Sequence, residues 1–163
     1  MSESWVINAS PVILLAKVEL MDRVAKFAGT LVIPEPVKAE ILGSHHNDAA
    51  ARWLQGKGLS LVRPAVIETS ALSGSAIGDG ERSVISWAVA HKDFVAVLDD
   101  REARIIAQRL GVKVLGTVGV VLRLKSAGLI AEVKPHLSKI RQVGGFVSDE
   151  LFHEALRCAG EQP

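Results

Sequence analysis

Short apolar runs alternate along the chain with segments whose apolar residues recur every three or four positions, the pattern of strands feeding helices. Trp5-Val6-Ile7 is a run that stops at Asn8, and Ser10-Pro11 then offers an N-cap and a favoured early helical residue. That helix carries Val12, Leu15, Ala16 and Leu20 inward, and a second is expected near Met21 to Phe27, ended by Gly29-Thr30. Leu31-Val32-Ile33 is the next run, and Pro34 to Ile41 reads as a helix closed by Gly43. Asn47 and Asp48 suit the cap of a helix containing Ala50, Trp53 and Leu54, which the Gly56-Lys57-Gly58 turn separates from a short run at Leu59 to Val62. A looser stretch follows to Ala76.

From Gly78 the pattern sharpens. Asp79 stands where it would cap a helix with Val84, Ile85, Ala88 and Val89 on one side, and Phe94 to Leu98 is an almost uninterrupted buried strand that ends in Asp99-Asp100. Arg101 to Leu110 is helical by spacing, Val112 to Leu115 a strand, and Thr117 to Ala127 a helix closed by Gly128. Two further helices are expected, one from Pro135 and one capped by Ser148, whose Asp149 and Glu150 suit the positive end of the helix dipole. Strands alternating with helices imply right-handed crossovers and an α/β fold, a three-layer α/β/α sandwich around a short, mostly parallel sheet. No repeat or linker divides the chain, so a single domain over 1–163 is expected, with the C-terminal helices, about 132–160, appended to it.

Composition narrows the classes. With 163 residues and 48% hydrophobic content the chain is long enough to bury a continuous core. One cysteine, Cys158, excludes an intrachain disulfide and a thiolate zinc site; it is expected to pack as a small residue in the last helix. No apolar segment approaches the ~20 residues of a membrane span, and the expected compartment is the cytoplasm. The net charge of +1 is uninformative by itself, but its distribution is uneven. Between Arg101 and Arg141 lie Arg101, Arg104, Arg109, Lys113, Arg123, Lys125, Lys134, Lys139 and Arg141 against only Glu102 and Glu132. That segment is either a set of solvated helix faces or a phosphate-binding surface.

Parallel sheets hold ligands at the carboxyl ends of their strands. Asn8 follows the first strand and Asp99-Asp100 a later one, while Glu40 and Glu81 on neighbouring helices are placed to face the same cleft. Each has an ordinary structural reading as a cap or a solvated helix residue. Gathered together, such carboxylates repel one another unless a cation lies between them, and oxygen ligands favour a hard ion, Mg²⁺ or Mn²⁺. His45-His46 reads as a solvated pair, and Trp53 and Trp87 as packing residues.

The segments VINASPVILLAKVELMD, VIPEPVKAEIL, GDGERSVISWAVAH, AVLDDREARIIAQRLGVKVLGTVGVVLRLKSAGLI and GGFVSDELFHEALRCAGE, in that order and spacing, resemble the PIN-domain nucleases, in particular a subgroup of small prokaryotic members of the VapC-like toxin superfamily. The resemblance implies a metal-dependent endoribonuclease, the toxin of a type II toxin–antitoxin pair, with RNA as substrate, a small antitoxin protein as partner and a homodimeric state. It implies metal ligation by Asn8, Glu40, Glu81 and Asp100, catalytic roles for Glu40, Glu81, Asp99 and Asp100, and substrate contacts from Ser10, Arg101, Arg104 and Thr117. Asn8 departs from the family's usual first aspartate; an amide oxygen still ligates a cation but brings no charge. The alternative is a catalytically impaired PIN domain that binds RNA or protein. A response-regulator receiver and a haloacid-type phosphatase both need acids after the first strand, where Asn8-Ala9-Ser10 stands, and a dinucleotide fold needs a glycine-rich turn there.

Overall fold

The computed structural model describes residues 2–43 and 48–163; Asn47, His45 and His46 lie outside the described residues, as does the side chain of Asp48. Five parallel strands form one sheet in the order β3-β2-β1-β4-β5: β1 (Ser4–Ile7), β2 (Thr30–Pro34), β3 (Val62–Arg63), β4 (Phe94–Val97) and β5 (Val114–Leu115). The helices are α1 (Ala9–Lys17), α2 (Met21–Phe27), α3 (Glu35–Leu42), α4 (Asp48–Trp53), α5 (Asp79–Ala90), α6 (Arg101–Arg109), α7 (Thr117–Ser126), α8 (Lys134–Gln142) and α9 (Asp149–Cys158). The β1-to-β2 and β4-to-β5 connections run in opposite directions across the sheet, so right-handed crossovers put α1 and α2 on one face and α6 on the other. The outcome is a three-layer α/β/α sandwich, with α7 packed on α1 and α2, and α5 on β1, β2 and β4.

The central strands are buried on both faces, as their continuous apolar runs require. Trp5, Val6, Ile7, Ile33, Val97 and Leu98 are fully inaccessible to solvent. Packing, rather than intrinsic propensity, holds the short helices: the nine residues of α1 fall below the ~12–15 at which an isolated helix is even marginal, and Val12 and Leu15 bury their whole side chains beneath it.

Several boundaries differ from the sequence reading for local reasons. The N-cap of α1 is Asn8, not Ser10, and the Asn8 side chain makes no capping bond. The backbone N–H of Asn8 instead donates to Val97 O at 3.1 Å, which extends the β1–β4 ladder by one step, while its carbonyl accepts from Val12 N at 3.4 Å as α1 begins. Gly78, not Asp79, occupies the N-cap of α5; Gly78 has no side chain, so only half a capping box forms, with Glu81 Oε2 accepting from Gly78 N at 3.1 Å. Leu59–Leu61 is a turn of 3₁₀ helix and only Val62–Arg63 pairs as a strand. Ahead of it, Leu54–Gly58 forms a π-turn in which a Cβ on Gly58 would stand 2.6 Å from the Trp53 ring, so the glycine permits the ring to close the turn. The looser stretch before α5 is anchored by Arg82, whose guanidinium donates to the carbonyls of Ile77, Leu72 and Ser75 and pairs with Glu68. Cys158, expected to be packed, is exposed on α9.

Candidate functional site

The strand order reverses between β1 and β4, and residues just beyond their carboxyl ends, Asn8 and Asp99-Asp100, border the crevice that such a reversal opens. α3 and α5, which pack against each other, bring Glu40 and Glu81 to the same edge. The closest approach is read at Gly80, in the first turn of α5: a Cβ built there would lie 2.7 Å from Glu40 Oε2 and 2.9 Å from Asn8 Oδ1. The two oxygens therefore converge on one small space that the absence of a side chain keeps open. Asn8 is 5% exposed, and its Oδ1 is buried with no hydrogen-bond partner. An orphaned buried carbonyl oxygen costs about 1–3 kcal/mol of desolvation, an arrangement that a cation at this point would relieve.

Glu81 completes the cluster electrostatically. Burial raises its carboxyl above the ordinary glutamate range; the hydrogen bond from Gly78 N opposes this, and the negative charges of Asp100, Glu40 and Glu102 add to the rise. Glu102 is a member of this field that the sequence reading counted only as an acid offsetting the basic segment from Arg101 to Arg141. Asp100 caps α6, with Oδ2 accepting from Ala103 N at 2.9 Å, and so carries a structural bond alongside its place in the field.

Asp99 faces elsewhere. Its Oδ1 accepts from Thr117 N at 2.8 Å and its Oδ2 from Thr117 Oγ1 at 2.6 Å, with Ser10 Oγ at 3.5 Å. Adjacent residues on an extended strand end point in opposite directions, so the Asp99-Asp100 pair divides between two neighbouring spaces rather than filling one. Thr117, which the resemblance implied as a substrate contact, is buried and holds Asp99 in place. Arg104 lies across the start of α7, where a Cβ on Gly116 would meet its guanidinium at 2.8 Å and Asp99 Oδ1 at 3.3 Å. Arg101 stands exposed at the first position of α6. Of the basic segment, Arg123, Lys125 and Arg141 pair with Glu3, Glu161 and Asp149, so these three belong to the fold's own ion pairs rather than to a phosphate surface. Lys17, outside that segment, lines a depression of about 490 Å³ together with Ser10 and Glu40; its i, i+7 spacing from Ser10 on α1 was the signal available in the sequence.

The donors around Gly80 are all oxygen, as a hard divalent ion prefers. Among the described residues, no three His, Cys, Asp or Glu side chains stand close enough to chelate one ion. The chain thus fits an ion held by few direct ligands, Asn8 and Glu40 foremost, with water completing the shell and Glu81 and Asp100 supplying charge, which is how Mg²⁺ is commonly bound.

The raised Glu81 carboxyl gives a pH prediction. In a chelating buffer the ionised form is disfavoured in the folded state, so this group favours folding below its unfolded pKa, and that contribution is lost as pH rises through the folded value. Glu81→Gln is expected to melt at a higher temperature than the wild type at neutral pH, the difference shrinking as pH falls into the carboxylate range. Thermal melts across pH in EDTA read this directly; a difference constant with pH removes charge crowding as its cause.

A family model described as DUF3368, a PIN domain, matches residues 4–161, nearly the whole chain. No curated protein matches the chain significantly. Among the described residues no helix is long and apolar enough to cross a membrane.

Proposed function

The chain belongs to the PIN-domain family, and from that premise we propose that it is a divalent-metal-dependent endoribonuclease acting at the cleft between β1 and β4. The observation that carries this reading is the convergence of the orphaned Asn8 Oδ1 and Glu40 Oε2 on the space beside Gly80. PIN domains generally depend on divalent metals and have nuclease-like activity; for this oxygen-only set Mg²⁺ or Mn²⁺ is the proposed ion. When bound, the ion would lower the pKa of an attacking water and offset charge on the leaving oxygen. Asn8 and Glu40 would hold the ion, Glu81 with its raised carboxyl is placed to accept a proton from an attacking water, and Asp100 adds charge while capping α6. Ser10 and Arg104 contact the phosphate, and Asp99, itself held by Thr117, orients Ser10 by accepting from its hydroxyl.

The neutral side chain at position 8 favours one second reading, a catalytically impaired PIN domain that binds RNA or protein. A fluorescent RNA incubated with highly purified protein and Mg²⁺ or Mn²⁺, with and without EDTA, separates them. Cleavage is expected only with the metal, lost in Glu40→Gln, while RNA binding weakens steeply with salt as phosphate contacts release counterions. Metal-independent cutting, or cutting that survives Glu40→Gln, points to a contaminant; RNA binding without any cutting leaves the binding module. The toxin role, with a small antitoxin protein and a homodimer, belongs to the same proposal and rests on family membership. Light scattering of the protein with and without the product of the adjacent reading frame reads both partners.

A further inference from the structure

Beside the acid cleft a groove of about 670 Å³ opens between α7, α9 and the loop joining α8 to α9. Its mouth is polar, with Ser10 and Arg104, and its walls are apolar, with Leu14, Leu122 and Phe146. Phe146 is 93% exposed and is the one exposed aromatic side chain among the described residues.

The loop presents Phe146 in a fixed place. Gly144 adopts φ +98°, a left-handed conformation that favours glycine, and a Cβ on Gly145 would stand 2.5 Å from Ile140 Cγ2, so the turn seats tightly on the end of α8. On the other side Arg141 Nε donates to Val147 O at 2.9 Å while its guanidinium stacks 4.5 Å over the Phe152 ring. With Leu14 and Leu122 the ring makes a contiguous apolar wall rimmed by Ser10 and Arg104, the arrangement of a ligand-binding groove.

We propose that this groove is a nucleotide subsite of the same ribonuclease, taking one unstacked base of single-stranded RNA against Phe146 with the adjoining phosphate on Arg104; it rests on the ribonuclease reading above. Continuity with the cleft supports RNA as the occupant: Ser10, Leu14 and Gly144 line both this groove and the depression that contains Glu40. Charge complementarity supports it too, because Arg104 makes no ion pair among the described residues and stands at the mouth, where a backbone phosphate would pass on its way to the acids. Only a single strand fits. A base in a duplex stays stacked and paired, whereas loops and single strands can splay a base onto an aromatic ring.

The test is binding of a short single-stranded RNA containing one 2-aminopurine, in EDTA so that no cleavage intervenes. Acid repulsion weakens all variants alike, and the ratio between variants is the readout. Wild type is expected to quench the probe. Phe146→Ala, which removes no core packing, should lose the quench and bind roughly 5- to 150-fold more weakly, the fold-change equivalent to about 1–3 kcal/mol per stacked base. Phe146→Trp should restore both, and a duplex of the same sequence should not distinguish the three proteins. Equal RNA binding by Phe146→Ala and wild type overturns the proposal, as does a change in oligomeric mass with RNA binding intact, which would give the groove to a second copy. A protein that quenches the probe yet never cuts RNA sinks the nuclease and leaves the subsite standing; one that cuts RNA identically with and without Phe146 does the reverse.

Discussion

Gly80→Ala should leave the protein at least as stable as the wild type while stripping it of its response to divalent ions. Gly80 lies in the first turn of α5 with an ordinary negative φ, so alanine suits the backbone and should favour the helix by roughly 0.5–1 kcal/mol. Its Cβ would nevertheless fall 2.7 Å from Glu40 Oε2 and 2.9 Å from Asn8 Oδ1, and one of them must move. Asn8 is the less free, since its backbone is tied to Val97 and it starts α1, whereas the Glu40 carboxylate ends a flexible exposed side chain. Glu40 is therefore displaced and the pair separates. Half-saturating metal should rise on the order of the 10–100-fold seen when a site's supporting geometry is removed, and the rise in melting temperature on adding Mn²⁺ should shrink in step. A titration indistinguishable from wild type would place the ion elsewhere.

Asn8→Asp is expected to act in opposite directions with and without metal. Without it, a fourth carboxylate joins Glu40, Glu81 and Asp100 at a position only 5% exposed, and an unpaired buried charge typically costs about 3–5 kcal/mol. Melting in EDTA should drop accordingly. With Mg²⁺ or Mn²⁺ the added charge attracts the hard ion more strongly than an amide does, so the metal concentration for half-maximal RNA cleavage should fall. Asp100→Asn in the same background should erase that gain, because both charges act on one ion and their effects cannot be independent. The double-mutant cycle, scored by cleavage across a metal titration, separates this from two unrelated effects: strict additivity would show that positions 8 and 100 do not share an ion. If neither wild type nor Asn8→Asp cuts RNA with metal, the binding-module reading replaces the nuclease.

The alternation of apolar runs and helical spacing was enough to establish the layered α/β architecture, because burial on both faces of a parallel sheet writes itself into continuous runs such as Trp5-Val6-Ile7 and Phe94 to Leu98. It was also enough to place Asn8 and Asp99-Asp100 at strand ends, since the period changes there from strand to helix. Strand ends alone do not say which acids share a space. That was decided by the order β3-β2-β1-β4-β5, which sets residues about ninety positions apart beside one another, and by the contact of α3 with α5 that brings Glu40 to Asn8. Asp99 and Asp100 are neighbours in sequence, yet one is held by Thr117 and the other caps α6, because consecutive side chains leave an extended backbone on opposite sides. Phe146 gave no signal at all, as a single aromatic in a glycine loop has no period to read; its exposure is fixed by Gly144, Gly145 and Arg141 closing the turn in three dimensions. Periodicity records what each element buries, and the composition of a site depends on which elements meet.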